Sequence, residues 1–224
     1  MRKHWVLITI TIAAVLAAGI LFFFRFCRRY NAAHAPASGR YGAGSQVMYG
    51  FHAIFRPFDG FWDIKHEKRG GLPGALIILG AVCVSMIVRD LGTGYIFAGS
   101  GRRTNALIQA GVIIGLVLLW CIANWCLTSL MNGEGTFRDI FIMVCYALLP
   151  LVLMNIPATL LSHVLTEQEG MFITFFTGLG FIWAALLIFA GTMSVHGYSF
   201  GRNIVTVICT VIGMVLIAFI GALF

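Results

Sequence analysis

The stretch NGEGTFRDIFIMVCYALLPLVL, residues 132–153, begins as a polar turn and continues as an apolar helix. Glycines on both sides of Glu134 favour a tight turn. Thr136 and Asp139 have the spacing of a capping box, in which the two side chains satisfy free backbone N–H groups at a helix start. The apolar run that follows, as far as Leu161, is long enough to cross a bilayer. The stretch therefore predicts a helix that starts at a membrane surface and then spans the membrane.

The composition of the whole chain indicates a membrane protein. Of its 224 residues, 60% are hydrophobic and only 10% are charged, and the mean hydropathy is +0.94. Soluble domains carry about 25% charged residues. So few charges could not cover the surface of a globular protein of this length. We expect most of the chain to face lipid or other buried helices.

Six apolar runs are long enough to be considered as membrane spans. None shows the alternation of a β-strand broken by turns, so helices are predicted. The predicted fold class is all-α, a polytopic helical membrane bundle. The runs are Trp5–Phe24, Leu72–Val88, Ala106–Leu127, Ile140–Leu161, Met171–Met193 and Asn203–Phe224. A second capping box, Thr166 with Glu169, precedes the fifth run.

The first run has two interpretations. The preceding MRKH resembles the basic start of a signal peptide, and residues 33–35 could serve as a cleavage site. However, the run is long, and three arginines within residues 25–29 follow it as a stop signal. A retained N-terminal transmembrane anchor over residues 1–24 is therefore favoured over a cleaved signal peptide.

The distribution of Lys and Arg predicts the orientation. The segment 25–71 holds eight of them, and the loops 128–139 and 192–202 add one each on the same side. The other side holds five. Because loops rich in Lys and Arg stay in the cytoplasm, residues 25–71 should be cytoplasmic and both termini outside. We expect a plasma-membrane protein whose net charge of +7 serves orientation and contact with anionic lipid.

The cytoplasmic segment divides into a basic linker, residues 25–50, and an amphipathic segment, residues 51–71. Small polar residues at 31–46 predict a flexible linker. Pro57 predicts two short helices that meet there. The aromatic face and basic end suit the lipid interface, although the aromatics could equally pack on the bundle, and the two interpretations are compatible. The interfacial residues are Phe51, Phe55, Phe58, Trp62, Lys65, Lys68 and Arg69.

No pattern for catalysis, metal binding or cofactor binding is found. HEKRG, residues 66–70, lacks the second His of a zinc motif, and residues 92–101 lack the Lys-Ser/Thr of a phosphate-binding loop. The six cysteines include no Cys-x-x-Cys pair. Cys27 lies beside the first run, where either S-acylation or chance placement explains it. A basic groove interleaved with aromatics is missing, which argues against nucleic-acid binding.

The centres of the runs contain no Asp, Glu, Lys or Arg, which weighs against a proton-coupled transporter. Asn124 is favoured as a partner in an interhelical hydrogen bond over a substrate ligand. Gly111 and Gly115 permit close helix approach, within one chain or between two. Pro150 and Pro157 interrupt the fourth run and can kink it.

Several segments together resemble the Yip family of membrane proteins, the Ypt/Rab-interacting type. They are residues 124–150, 160–172 and 196–203, and residues 55–70 resemble the stretch ahead of the first domain span in bacterial-type members. The family's Tyr-x-x-x-Pro element matches Tyr146 and Pro150. The residues assigned to family motifs are Asp59, Gly60, Asn124, Gly135, Phe137, Asp139, Tyr146, Pro150 and Gly170.

The resemblance implies a five-helix domain, residues 72–224, with a cytoplasmic N-terminal region and one extra N-terminal helix. Eukaryotic relatives associate with small GTPases and carry an Asp-Leu-Tyr-Gly-Pro element ahead of the first domain helix, but residues 58–61 read Phe-Asp-Gly-Phe. GTPase binding is therefore not carried over. We expect a bacterial, non-enzymatic scaffold or assembly factor whose partners are the lipid bilayer and other membrane proteins or further copies of itself. The rival is a small transporter or channel that uses the Pro-broken helix 140–161, and an intramembrane enzyme is the least favoured class.

Overall fold

The computed structural model describes residues 25, 41–92, 105–131, 133–163, 165 and 169–223, and this part of the chain contains helices and no strand. The predicted anchor Trp5–Phe24, Cys27 and the Thr166 capping box lie outside the described residues. The helices in chain order are α1 Ala43–Phe55, α2 Pro57–His66, α3 Leu72–Gly92, α4 Ala106–Leu130, α5 Phe137–Ala147, α6 Leu149–Leu161, α7 Met171–His196 and α8 Phe200–Leu223.

Five helical segments are long and apolar enough to cross a membrane. They are α3, α4, the combined α5–α6 segment Phe137–Leu161, α7 and α8. They correspond to five of the six predicted runs, and each extends past the predicted run at one end by three or four residues. The predicted polytopic helical bundle is confirmed.

The opening stretch folds as its residue types dictate. The Thr136 hydroxyl accepts a hydrogen bond from the Asp139 backbone N–H, and the Asp139 carboxylate accepts one from the Thr136 backbone N–H. This is the predicted capping box. The segment then breaks at Leu148, because Pro150 has no N–H to donate to Tyr146 and its ring excludes a continuous helix. Pro157, by contrast, is accommodated inside α6.

The spans alternate in direction, which defines two ends of the bundle. Met131 of the turn after α4 contacts Arg202 of α8, and Asn124 contacts Thr210, so α4 and α8 run antiparallel. We call the end of the bundle that contains the α4–α5 and α7–α8 connections the near end, and the opposite end the far end. Because the number of described spans is odd, the start of α3 and the end of α8 lie at opposite ends.

Helices α1 and α2 form an antiparallel hairpin that packs along the bundle. The Tyr49 hydroxyl of α1 donates to the Asp63 carboxylate of α2, and Gly60 lies directly against Ala53. The tip of the hairpin reaches well along α7, where the Phe55 ring meets the Trp183 ring edge-on at 5.9 Å. Pro57 separates the two helices, as predicted.

The start of α1 differs from the expectation of a flexible linker over residues 31–46. The helix begins at Ala43, inside that linker and ahead of the predicted segment boundary at residue 51. The reason is the side chain of Gln46, which accepts from the Gly74 backbone N–H and donates to the Tyr41 carbonyl. The contact with Gly74 is made across the fold, so a local reading of small polar residues could not reveal it.

Candidate functional site

The hairpin is joined to the bundle at Tyr146. Its side chain is almost fully buried, and its hydroxyl donates to the backbone carbonyl of Gln46 over 3.0 Å. Because α5 lies at the centre of the bundle and Gln46 lies in α1, this bond links the most buried span to the hairpin. The Tyr146 hydroxyl also lies so close to Gly74 that a side chain there would meet it at 2.5 Å.

Glycines make the close approaches of the hairpin possible. A Cβ atom at Gly60 would lie 2.6 Å from the Ala53 Cα atom, so the crossing of α1 and α2 requires glycine there. A Cβ atom at Gly50 would lie 3.1 Å from Leu149 and 3.2 Å from Tyr146. The clash at Gly60 would be with backbone atoms and could not be relieved by rotation of a side chain. The clash at Gly50 would be milder, because it involves side-chain atoms at longer distances.

Lys65 joins α2, the second helix of the hairpin, to the loops at the near end of the bundle. The Lys65 ammonium donates to the Val195 carbonyl over 2.8 Å and forms an ion pair with Glu134 at 3.3 Å. Its side chain is only 14% exposed, while that of Glu134 is 73% exposed. The bond to the carbonyl at the end of α7 is therefore the better shielded contact, and the ion pair is the weaker one.

A chain of buried hydrogen bonds connects the α4–α5 loop with α4, α7 and α8. The Gly135 backbone N–H donates to His196 Nδ1 at 3.3 Å, and His196 Nε2 bonds to Asn124 Oδ1 at 3.0 Å. Asn124 Nδ2 donates to the Thr210 hydroxyl at 3.1 Å, which donates to the Thr206 carbonyl. Together these bonds require the neutral imidazole with its proton on Nε2.

This chain explains the glycines of the opening stretch. A Cβ atom at Gly133 or Gly135 would lie within 3 Å of the His196 ring. Tyr198 stacks on the other side of that ring with centroids 5.3 Å apart, and the Arg202 guanidinium lies 4.4 Å above the Tyr198 ring. The loop can therefore close over His196 only because it lacks side chains at these positions.

A comparison with protein families now decides the family. A family profile described as the Yip1 domain matches residues 51–223. The chain belongs to the Yip1 family. The family resemblance predicted from the sequence is confirmed. No curated protein and no solved structure gives a significant match to this chain.

The nine residues that the sequence analysis assigned to family motifs separate into three places. Asn124 and Gly135 belong to the buried hydrogen-bond chain, and Asp139 caps the following helix. Phe137 lies beside them, edge-on to Trp125 at 6.4 Å. Of the remaining five, Gly60, Tyr146 and Pro150 lie at or beneath the hairpin, and Asp59 is exposed on it. Gly170 lies at the far end of the bundle.

The seven residues predicted for the membrane interface also separate. Phe58 and Trp62 are each about half exposed on the outer side of the hairpin, and Lys68 is exposed at its end. Phe55 is also about half exposed, but its ring meets Trp183 of α7. The other three make protein contacts instead. Phe51 packs on the core, Lys65 bonds to Val195, and the Arg69 guanidinium lies 5.5 Å from the centre of the Tyr49 ring. The two interpretations of this segment thus apply to different residues of it.

Sequence reasoning missed His196, Gln46 and Thr210 as members of these sites. His196 gives the clearest signal, since it is an ionisable residue at the end of an otherwise uncharged apolar run. Gln46 and Thr210 give none, because polar residues at a linker or within a span are common. Within the described ranges no three His, Cys, Asp or Glu side chains are grouped so that they could hold a metal ion.

Gly111 and Gly115 are turned away from the other described helices. A Cβ atom at either position would meet no described atom within 4 Å. The close helix approach that the pair permits is therefore not used between the helices that the structure describes. Asn124, by contrast, makes the interhelical hydrogen bonds that were favoured for it.

Proposed function

We propose that this Yip1-family protein is a non-enzymatic scaffold or assembly factor that binds other membrane proteins through the outer face of its hairpin. The observation that carries the proposal is the contrast between the two faces of the hairpin. The inner face is fixed to the bundle by Tyr146 and Lys65. The outer face presents Phe58 and Trp62, with exposed fractions of 52% and 51%.

A fixed aromatic face is suited to binding a partner. Aromatic side chains are enriched at the centres of protein interfaces, because they bury a large area at a small cost in conformational entropy. A surface that is already ordered avoids the further cost of ordering on binding. The same face would contact the lipid interface while no partner is bound.

The experiment is affinity purification in mild detergent from the membrane that contains the protein. Phe58→Ala combined with Trp62→Ala should lose the stoichiometric partner, while Phe219→Ala should retain it. Phe219 is a matched control because it is 62% exposed on α8, away from the hairpin. Recovery of no stoichiometric partner by the unmodified protein, or equal recovery by all variants, would contradict the proposal.

Self-association is the second form of assembly that the described surfaces support. Gly111 and Gly115 lie one helical turn apart on the exposed side of α4, the spacing that lets two transmembrane helices approach closely. Gly115→Ile should dissociate an oligomer, whereas Gly80→Ile should not, since Gly80 is an equally open glycine on α3. The measurement is the mass of the detergent-solubilised protein by light scattering with lipid and detergent subtracted.

A bacterial plasma membrane, with residues 25–71 in the cytoplasm and both termini outside, is the location we propose from the distribution of Lys and Arg. Labelling of single cysteines at residues 43–69 from each side of the membrane tests this orientation. The alternative function, a small transporter or channel, stays a prediction. It requires solute flux in reconstituted vesicles that Asn124→Leu abolishes.

A further inference from the structure

An open groove lies at the far end of the bundle, away from the hairpin and from the buried hydrogen-bond chain. It has a volume of about 530 Å³, within the range of roughly 300–1,000 Å³ of small-ligand sites. Its described lining residues are Arg89 of α3 and a row on α7 that consists of Gly170, Ile173, Thr174, Thr177, Gly178 and Phe181. No proposed role of the hairpin uses any of them.

The row on α7 follows one face of the helix, with spacings of three and four residues. From Gly170 to Phe181 it covers about 16 Å at 1.5 Å per residue. The row combines polar and apolar side chains: Ile173, Thr174 and Thr177 lie towards the helix start, and Phe181 lies farthest along the helix. The floor is open at Gly178, where a Cβ atom would meet no described atom within 4 Å.

The depth of Arg89 places a guanidinium where phospholipid phosphates lie. Arg89 follows the first residue of α3 by 17 positions, which is about 26 Å of helix, while the hydrocarbon core is about 30 Å thick. The end of α3 therefore lies near the boundary between hydrocarbon and headgroups. A guanidinium is the side chain that best matches the paired oxygens of a phosphate.

The charges near Arg89 indicate which headgroup fits. Arg89 contacts the Asp90 carboxylate at 3.2 Å, and the Asp90 side chain is 35% exposed. Asp90 also accepts from the Gln109 amide at 2.5 Å, and Glu169 adjoins the lining residue Gly170 in the chain. A headgroup with only negative charge would meet these carboxylates, whereas a headgroup that also carries an ammonium would complement them.

We propose that this groove binds one bilayer phospholipid with a primary ammonium headgroup. Its phosphate diester contacts Arg89, its ammonium contacts the Asp90 side, and one acyl chain lies along α7 past Gly178 to Phe181. The inference is independent of the scaffold proposal, because it uses neither the hairpin nor its aromatic face.

The test is native mass spectrometry of the full-length protein after detergent removes its lipids and phosphatidylethanolamine, phosphatidylglycerol or phosphatidylcholine is added back. One phosphatidylethanolamine per chain should be retained, at least tenfold more tightly than the other two lipids. Gly178→Leu, which fills the open floor, should abolish this retention. Gly80→Leu, an open glycine of α3, should leave it unchanged.

Variants of the charged residues test the headgroup assignment. Arg89→Gln should weaken retention of the lipid at least tenfold. Arg89→Lys should weaken it by less, since a lysine keeps the positive charge but lacks the paired N–H donors of the guanidinium. Asp90→Asn should reduce the preference for phosphatidylethanolamine over phosphatidylglycerol. If Arg89→Gln fails to fold, the comparison of lipid retention between Gly178→Leu and Gly80→Leu still tests the proposal.

Three results would overturn the proposal. Equal retention of lipid by Gly178→Leu and Gly80→Leu would show ordinary annular lipid. A preference for phosphatidylglycerol would contradict the ammonium headgroup. Competition by millimolar inorganic phosphate or by glycerophosphoethanolamine, with no effect of Gly178→Leu, would show a site for a free phosphate compound and not for a lipid.

Discussion

The hydroxyl of Tyr146 donates to the backbone carbonyl of Gln46 over 3.0 Å, although the two residues are 100 positions apart in the chain. The bond connects the central span of the bundle to the first helix of the hairpin. It gives the Tyr146 of the Tyr-x-x-x-Pro element a physical role, while Pro150 ends the straight part of the same span four residues later. The element therefore both anchors the hairpin and bends the helix that holds the anchor.

Tyr146→Phe should loosen the hairpin without disrupting the bundle. The variant removes one buried hydrogen bond and keeps the ring, so the free energy of hairpin docking should fall by about 1 kcal/mol. Reactivity of a cysteine in place of Ile54, which is 3% exposed and belongs to the core, measures docking in detergent or vesicles. Tyr146→Ala should cost about 3–5 kcal/mol, because it also leaves a cavity. An unchanged cysteine reactivity in Tyr146→Phe would show that the bond contributes nothing.

Gly74→Ala should be strongly destabilising, while Gly80→Ala on the same helix should be neutral or slightly stabilising. A Cβ atom at Gly74 would lie 2.5 Å from the Tyr146 hydroxyl and 2.8 Å from Gln46 Cβ, whereas at Gly80 it would meet nothing. In the open position alanine gains about 0.5–1 kcal/mol of helix propensity. The midpoint of thermal unfolding in one detergent compares the two variants. Equal midpoints would contradict the close packing at Gly74.

The spans and their local signals could be predicted from the sequence, because both depend on neighbouring residues. Length and hydropathy identify Leu72–Gly92 or Phe200–Leu223 without knowledge of their neighbours, and the Thr136–Asp139 capping box is a pattern of four residues. The prolines predicted that the fourth run can be interrupted, but not that Pro150 breaks it while Pro157 lies inside α6. The partner of Asn124 could be predicted only by type, as an interhelical hydrogen bond.

The packing of the hairpin could not be predicted, because it depends on contacts between residues far apart. Nothing near Gln46 indicates that its side chain meets Gly74 and its carbonyl meets Tyr146. The same holds for Lys65, whose charge suggested a lipid interface and whose ammonium instead reaches the Val195 carbonyl. Amphipathic periodicity shows that a helix has two faces, but not which of them meets protein and which meets lipid.

The buried hydrogen-bond chain should behave as one unit in a double-mutant cycle. Thr210→Val removes the acceptor of the Asn124 amide, which should cost about 0.6–1.7 kcal/mol in a membrane protein. Asn124→Ala should cost more, since it also leaves His196 Nε2 without its acceptor. The double variant should cost less than the sum of the two single variants. Strict additivity of the unfolding free energies in mixed micelles would contradict the coupling.

Docking of the hairpin should weaken at alkaline pH through Tyr49. Burial and the hydrogen bond to the Asp63 carboxylate raise the pKa of Tyr49 above its ordinary value near 10. The docked state therefore keeps a proton that the undocked state loses, so this contribution is complete below pH 10 and is lost as the pH rises further. Reactivity of the cysteine at position 54 should increase as the pH rises above 10, measured with a reagent whose rate is corrected for thiolate formation. Tyr49→Phe should show a smaller increase, and an equal one would assign the effect to another group.

The crossing of α1 and α2 gives the sharpest test of the hairpin, because two glycines face obstacles of different kinds. A Cβ atom at Gly60 would meet the Ala53 backbone at 2.6 Å, and one at Gly191 would meet the flexible Met143 side chain at 2.6 Å. The obstacle at Gly191 is a side chain of α5, so its displacement need not separate α1 from α2, whereas the Ala53 backbone can move only if these two helices separate. Gly60→Ala should therefore open the hairpin, and in detergent chymotrypsin should cleave after the half-exposed Phe58 at least tenfold faster than in the unmodified protein. Gly191→Ala should change the cleavage rate far less. Equal cleavage rates in the two variants would mean that the hairpin does not depend on the contact between Gly60 and Ala53.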